Sequence, residues 1–166
     1  GEENDGWTVA KYLLEFERGG GASAPGLLEG VEDLHTFAEA LPEAERSALT
    51  LRLHALTSRI EALEMAELQA LAETERRGSP GPGASMLKLL GTELSQALTE
   101  LQVEALGPYG LVHQPEALAF ESNVAPVGPA AGLTTVPFYL NNRAATIYAG
   151  SSEVQRNIIS KAVLGL

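Results

Sequence analysis

Apolar residues recur along this chain at the three- and four-residue spacing of helices, and the alternation typical of strands is nearly absent. The most regular stripe covers residues 43–77 and contains Leu49, Leu53, Leu56, Ile60, Leu63 and Ala70. A second stripe covers residues 84–106 and contains Leu87, Leu90, Leu94, Ala97, Leu101 and Ala105. Glycines and prolines fill residues 78–83 between them. The pattern therefore predicts two long antiparallel helices, an αα-hairpin at the core of an up-and-down bundle.

A shorter amphipathic helix is predicted at residues 7–18. Its apolar side carries Trp7, Ala10, Leu13 and Leu14, and Glu17 falls on the same side. Three consecutive glycines from Gly19 end this helix, because glycine loses more backbone entropy on ordering than any other residue. Another short helix is expected over residues 27–40.

The last third of the chain is less periodic. Residues 114–137 contain four prolines and predict a long loop. Helical spacing returns over residues 138–148, small residues interrupt it at 149–152, and a last helix is expected from Glu153 with Val154, Ile158 and Ala162 on its buried side. The whole pattern predicts an all-α, up-and-down four-helix-type bundle that forms one domain across residues 1–166.

The composition of the chain argues against several kinds of binding partner and site. The 166 residues contain 11 Lys+Arg against 22 Asp+Glu, a formal net charge of −11, and 45% are hydrophobic. Such acidity argues against nucleic acid and against an anionic membrane surface as partners. The absence of cysteine excludes disulfides and thiolate metal sites. No stretch of about 18 apolar residues and no signal-peptide layout is present, so we expect a soluble, cytoplasmic domain.

Few residues suggest chemistry by themselves. The three histidines lack metal-ligand spacing, so no metal site is predicted, and no phosphate-binding glycine motif occurs. Glu17 has two interpretations. A carboxylate on an apolar helix face would be partly desolvated, which raises its pKa and suits a general base. Spacing alone favours the other interpretation, in which a glutamate at the helix end, next to Arg18, reaches water.

Residues 149–153 form the second candidate, because small side chains before a helix leave its first N–H groups open to an anion or polar ligand. A capping box formed by Ser152 and Gln155 explains the same residues equally well.

The sequence IYAGSSEVQRNII at residues 147–159, with KAVLGL at 161–166, resembles the C-terminal signature of acyl-CoA dehydrogenases. Gly6-Trp7 with residues 16–18, and residues 84–88 with 101–107, resemble the same family. The likeness covers essentially the whole chain but only the C-terminal part of a family member, so we expect the N-terminal helical and middle β-domains to lie outside this sequence. Residues 106–111 and 114–118 resemble the large-subunit type of pimeloyl-CoA dehydrogenase.

The resemblance implies a flavoenzyme of fatty acid metabolism that oxidises an acyl-CoA thioester to the 2-enoyl-CoA. In this family a glutamate removes the α-proton, a hydride passes from the β-carbon to FAD, and electrons leave to an electron-transfer flavoprotein. Subunits associate and share the cofactor site, so a homo- or hetero-oligomer is implied. This domain alone is expected to be inactive.

Family positions also imply residue roles. Many members carry the base just before the glycine of the last motif, where this chain has Ala149. A minority use a Glu-Arg pair on the opening helix, which matches Glu17-Arg18 and makes Glu17 the predicted base. Gly150 matches a substrate-binding position.

The remaining family positions concern the cofactor. Ser151, Ser152 and Glu153 match FAD-contacting positions, and Glu104 stands where the family often has a flavin-contacting glutamine. The family's Arg-x-x-Phe-Gly motif, which reaches the flavin pyrophosphate, has no counterpart between Gly26 and Ser47. The subgroup therefore binds FAD differently, or this subunit needs a different partner.

Two alternatives remain open. One is a non-catalytic oligomerisation module, or an inactive subunit of a heteromeric dehydrogenase, and Ala149 together with the missing arginine motif supports it. The other keeps the flavin chemistry but passes electrons to oxygen, as an acyl-CoA oxidase does.

Overall fold

The computed structural model describes residues 2–17 and 23–166, including all of their side chains except those of residues 15–17. This described part contains seven α-helices and no strand: α1 (Gly6–Glu17), α2 (Ala24–Ala38), α3 (Glu43–Arg77), α4 (Gly83–Ala105), α5 (Pro115–Leu118), α6 (Gly132–Asn142) and α7 (Ser152–Ile159). Two 3₁₀ turns, Gly107–Leu111 and Arg143–Thr146, and a π-helical turn, Ser160–Leu164, complete the secondary structure. The prediction of an all-α fold is confirmed.

Helices α3 and α4 form the predicted hairpin, and α3 has the predicted bounds. Gly78 ends α3 in the left-handed region at φ +78°, and its N–H donates to the Thr74 carbonyl at 2.8 Å. Only glycine adopts this conformation without a steric cost, so the turn begins where the first glycine occurs. Acidic residues in the first turn of α3 and Arg76-Arg77 in its last turn match the helix dipole.

The apolar core lies between α2, α3 and α4. It contains Leu27, Leu34, Leu49, Leu53, Leu56, Ile60, Leu63, Leu94, Leu98 and Leu101, all of them buried. Gly30 permits the close approach of α2 to α4, since a Cβ there would lie 2.9 Å from Leu98 Cδ2. The Glu67 carboxylate on α3 accepts the Ala24 N–H at 3.2 Å and so caps α2.

The C-terminal third differs from the prediction. Helix α6 begins at Gly132 and contains Pro137, whereas the sequence predicted a loop through residue 137. Proline removes one backbone donor in the second turn of α6, but packing against α4 holds the helix together. Segment 119–131 is the irregular part that remains.

The predicted buried side of the last helix is wrong at two of its three residues. Val154 is 49% exposed and Ala162 is exposed, Ile158 is half-buried, and the buried residues are Ser152 and Gln155. Helix α7 therefore packs against α4 with polar side chains buried.

Helix α1 forms where it was predicted, but its apolar side is not covered. Trp7 is 71% exposed, Leu13 is also exposed, and none of the described side chains of α1 is buried. Within the part of the chain that is described, no helix combines the length and apolar character needed to cross a bilayer.

Substitutions of two leucines on α3 test which side of this helix faces the core. Leu53 is 1% exposed and Leu51 is 74% exposed, so the same substitution has different consequences two residues apart. We expect Leu53→Ala to lower the free energy of unfolding by about 2–5 kcal/mol, because it removes buried methyl groups and leaves a cavity. We expect Leu51→Ala to change it by about 0.5 kcal/mol or less.

Urea unfolding followed by far-UV circular dichroism measures both values. Equal losses for the two variants would contradict the assignment of the core to this side of α3.

Candidate functional site

A stripe of buried polar residues runs along α4, on the side opposite to several of its leucines. Its members are spaced by three and four residues and are all buried: Ser85, Lys88, Thr92, Ser95 and Thr99. Buried polar groups must find hydrogen-bond partners, because an unpaired one loses its water without compensation. This polar stripe contacts the segment that runs from the end of α6 to the start of α7.

Asn142 attaches the end of α6 to the polar stripe. Its Nδ2 donates to Ser95 Oγ at 3.0 Å and to Thr99 Oγ1 at 3.3 Å, and its carbonyl accepts from Gln96 Nε2 at 3.0 Å. Arg143 donates to the Gln96 carbonyl at 3.0 Å and lies 4.4 Å from the centre of the Tyr139 ring. Directional bonds therefore fix where α6 ends.

Lys88 binds the 3₁₀ turn Arg143–Thr146, which directly follows α6. Its Nζ donates to the Ala145 carbonyl at 2.9 Å, and the residue is only 5% exposed. Burial lowers the pKa of Lys88 from its ordinary value, and the negative charge of Glu153 at the start of α7 partly opposes this shift.

The chain then turns sharply before α7. Ala149 and Gly150 both have positive φ, +55° and +87°, and their carbonyls accept from Gln155 Nε2 at 3.3 and 3.2 Å. Gln155 is 1% exposed. The conformation at φ +87° favours glycine at position 150, and a Cβ there would displace the buried Gln155 amide from the two carbonyls that it binds.

Ser151 caps α7, and its Oγ accepts the Val154 N–H at 3.4 Å. The predicted capping box of Ser152 and Gln155 is wrong, because Ser152 is already the first helical residue and both side chains are buried. Glu153 is exposed. A backbone N–H and the Ser151 hydroxyl lower the pKa of Glu153, with smaller contributions from Arg156 and Lys88.

Three buried polar side-chain atoms lack a hydrogen-bond partner among the described residues: Ser85 Oγ on α4, and Ser152 Oγ and Gln155 Oε1 on α7. A buried oxygen without a partner costs about 1–3 kcal/mol, and such atoms are few in native proteins. Two of the three oxygens lie in the first four residues of α7, directly after the turn.

Six site residues were predicted; the structure brings four of them together, leaves Glu104 apart, and does not describe the side chain of Glu17. Gly150, Ser151, Ser152 and Glu153 are consecutive in the turn and the first residues of α7. Glu104 lies near the other end of α4, exposed, and forms an ion pair with Arg52 of α3. The hydrogen bond from Arg52 lowers the pKa of Glu104.

Arg156 of α7 bonds Glu93 of α4 at 2.8 Å, which fixes the level of α4 that α7 reaches. Eleven helical residues separate positions 93 and 104, a rise of roughly 16 Å. Glu104 is therefore not part of the group formed at the start of α7.

Glu17 is the last residue of α1, and its side chain, like all of Arg18, lies outside the described residues. The prediction that burial raises its pKa is therefore untested. The apolar side of α1 on which it falls is exposed at Trp7 and Leu13.

Sequence reasoning missed Lys88 and Asn142, and it assigned Gln155 to a capping box that the structure does not contain. The available signal was the spacing of Ser85, Lys88, Thr92, Ser95 and Thr99, which repeats every seven residues along a helix that also carries an apolar stripe. All three histidines are exposed, and His35 and His54 line a common surface groove.

Comparison with known proteins decides the family. The sequence profile of "Acyl-CoA dehydrogenase, C-terminal domain" matches residues 4–164. The chain belongs to the acyl-CoA dehydrogenase family. The matched region includes α4, the turn and α7, so the arrangement described above is that of an acyl-CoA dehydrogenase C-terminal domain.

Two curated relatives carry the name Acyl-CoA dehydrogenase IpdE1. The protein from Mycobacterium tuberculosis is 32% identical over 167 residues and the one from Mycolicibacterium smegmatis is 29% identical over 168 residues. All of this chain is aligned in both cases, but it spans only 40% and 38% of their lengths.

Solved structures agree on the fold. The Tcur3481-Tcur3483 steroid ACAD G363A variant superposes with a TM-score of 0.79 at 22% identity, and the ChsE4-ChsE5 complex from Mycobacterium tuberculosis with 0.75 at 26% identity. Each alignment covers 100% of this chain and 41% of the other.

The substitution Gly150→Ala tests whether the conformation of the turn before α7 depends on glycine at position 150. The added methyl group strains a residue at φ +87° and displaces the Gln155 amide, so we expect a loss of about 1–3 kcal/mol in the free energy of unfolding. The matched control is Gly83→Ala, where a Cβ meets nothing within 4 Å and φ is not positive. Chemical denaturation of both variants measures the difference. A loss at Gly83 as large as that at Gly150 would contradict the argument.

The lowered pKa of Lys88 predicts that its contribution to the free energy of unfolding depends on pH. Its pKa lies below the ordinary 10.5 in the folded state, so the unfolded chain binds more protons between those two values. The stability of the native protein relative to Lys88→Met should therefore rise with pH through this interval and level off above 10.5. Urea titrations of both proteins between neutral and alkaline pH measure this difference. A constant or falling difference would show that Lys88 is not desolvated.

Proposed function

We propose that this domain is the C-terminal part of an FAD-dependent acyl-CoA dehydrogenase that converts an acyl-CoA thioester to the 2-enoyl-CoA. The turn at residues 149–153 carries the proposal, because its backbone has positive φ at two residues and the buried Ser152 Oγ that follows them lacks a partner among the described residues. N-terminal helical and middle β-domains, in the same protein or a partner subunit, would complete the site. The chain spans about 40% of the length of its curated relatives, which agrees with this division.

The residues at the turn fit a flavin. Its polar edge needs donors and acceptors, and Ser151, Ser152 and Glu153 offer two hydroxyls and a carboxylate on consecutive residues. The buried Ser152 Oγ and Gln155 Oε1 lack partners among the described residues, which supports a bound polar group there. When bound, FAD accepts the hydride that the substrate loses from its β-carbon.

Gly150 is the proposed substrate-binding residue. The Gln155 amide fills the space that a side chain at position 150 would take, so a thioester would reach this turn from the exposed side of Ala149. Hydrogen bonds from backbone N–H groups to the thioester oxygen would stabilise the negative charge that develops when the α-proton leaves.

Glu17 is the proposed base, and its carboxylate takes the α-proton. Ala149, which occupies the position of the base in many family members, has no group that accepts a proton. The apolar side of α1 is exposed at Trp7 and Leu13, so it is available for another domain and for the acyl chain to cover. Such covering would desolvate a carboxylate on that side and raise its pKa toward neutrality, where a general base is most effective.

Glu104 is proposed as a flavin contact only because it stands where the family often has a flavin-contacting glutamine. Its carboxylate is already paired with Arg52, so a flavin would have to share or replace that guanidinium. The missing arginine motif between Gly26 and Ser47 makes a partner subunit the proposed source of further contacts.

The proposed partners are an acyl-CoA substrate, an electron-transfer flavoprotein and other subunits in a homo- or hetero-oligomer. The ChsE4-ChsE5 structure, which is 26% identical, is described as a complex of two proteins, and this supports a heteromer. Transfer of electrons to oxygen instead is the alternative. The likeness to the pimeloyl-CoA type stays a prediction from residues 106–118.

A second candidate function is a non-catalytic assembly module or an inactive subunit. The exposed apolar side chains on the second half of α3, Met65, Leu68 and Leu71, favour it because they provide a surface for other subunits. The absence of a proton acceptor at Ala149 points the same way.

Glu17→Gln distinguishes these functions in the assembled enzyme. If Glu17 is the base, turnover with acyl-CoA should fall by about 10²–10⁴-fold while FAD stays bound, because the amide cannot take the α-proton. Absorbance of the flavin during reduction by acyl-CoA measures both quantities. Glu15→Gln is the control and should keep full activity, because Glu15 lies two residues before Glu17 and a two-residue step places it on another side of the same helix. Normal turnover with bound FAD in Glu17→Gln would exclude Glu17 as the base.

Ala149→Glu in the Glu17→Gln enzyme tests whether the two positions face the same carbon. We expect partial recovery of flavin reduction, since family members place the base at either position. No recovery in a variant that binds FAD and substrate normally would mean that the two positions do not serve the same proton.

A further inference from the structure

Lys88 lies where three elements meet: helix α4, the 3₁₀ turn Arg143–Thr146 and the start of α7. Its Nζ is 2.9 Å from the Ala145 carbonyl of the 3₁₀ turn, and its charge interacts with that of Glu153 in the first turn of α7. The residue belongs to α4, which packs against α3 in the core of the domain. Lys88 thus links a rigid helix to the turn that carries the candidate site.

Stability does not account for this lysine. An ammonium group that is taken out of water loses hydration free energy, and one carbonyl and one exposed carboxylate return only part of it. A methionine of similar length would fill the same space without that loss. What the ammonium provides is direction, because a hydrogen bond fixes the carbonyl that it reaches and an apolar contact does not.

The backbone between Lys88 and the candidate site is short and is held at both ends. Ala145 is four residues before Ala149, and the Ala144 carbonyl accepts from the N–H groups of Ile147 and Tyr148 at 2.9 and 3.1 Å. At the far end Gln155 binds the carbonyls of Ala149 and Gly150. Lys88 therefore holds the incoming end of the turn and Gln155 the outgoing end.

We propose that Lys88 is a positioning residue, whose buried ammonium fixes the Ala145 carbonyl and thereby sets the backbone of residues 147–153 for its ligand. This inference rests on the proposed function for the identity of the ligand, FAD, and on contacts within this chain for the positioning itself. Lys88 touches neither substrate nor cofactor in this assignment. It acts through Ala145 and through the charge of Glu153.

The test uses the assembled enzyme with Lys88→Met, which keeps the length and removes the ammonium. Two quantities are measured: amide hydrogen exchange of peptides that cover residues 147–155, and the Kd of FAD for the apoenzyme. We expect exchange in the turn to become at least about tenfold faster and the Kd to rise at least about tenfold, since a hydrogen bond from a charged group is lost. Exchange in α3 should not change.

Two further variants serve as controls. Lys88→Arg keeps a charged donor for the carbonyl and should recover most of the protection and the affinity. Lys161→Met removes the same charge from an exposed lysine in the π-helical turn that follows α7, and should leave both quantities at their native values.

The outcomes separate the positioning role from the proposed function. Unchanged exchange in the turn of Lys88→Met would overturn the inference. Faster exchange across α3 and α4 as well would also overturn it, because it would show that Lys88 only stabilises the fold. Faster exchange confined to the turn, without a change in the Kd of FAD, would support the positioning by Lys88 and contradict the FAD contact proposed for this turn.

Discussion

Helix α4 is buried on two sides of different chemistry, and the rest of the domain depends on how each side is satisfied. Toward α2 and α3 it presents leucines such as Leu94 and Leu98, which gain free energy simply by leaving water. Toward the C-terminal segment it presents Lys88, Ser95 and Thr99, whose burial is tolerated only where each finds a partner at bonding distance. The first side holds the bundle together, and the second fixes the position of residues 142–155.

The different nature of the two contacts explains where strain and unsatisfied groups accumulate. The leucine core contains no polar atoms that need partners, and its packing sets no unusual backbone conformation. The turn before α7 has positive φ at Ala149 and Gly150, and it leads directly into a helix whose buried Ser152 and Gln155 oxygens lack partners among the described residues. Such costs persist where the surrounding structure imposes them, and they concentrate at functional sites. The stable hairpin of α3 and α4 is the scaffold that bears them.

The described apolar side chains of α1 differ from those of the core because they have no covering element within this part of the chain. Trp7 and Leu13 remain in contact with water, as do several large side chains on the second half of α3. A domain with such surfaces gains free energy when other domains or subunits cover them. The chain belongs to the acyl-CoA dehydrogenase family and spans about 40% of the length of each curated relative.

Local sequence determined the long elements. The stripes of α3 and α4 and the glycine at residue 78 predict the hairpin, because periodicity and backbone freedom act over a few residues. The sequence also predicts that residues 150–153 lie together, because these residues are consecutive. Tertiary structure decided which side of α7 is buried, since periodicity assumes that apolar residues face the interior, whereas the polar stripe of α4 selects Ser152 and Gln155. It also paired Glu104 with Arg52, 52 residues away, a contact that exists only after the helices pack.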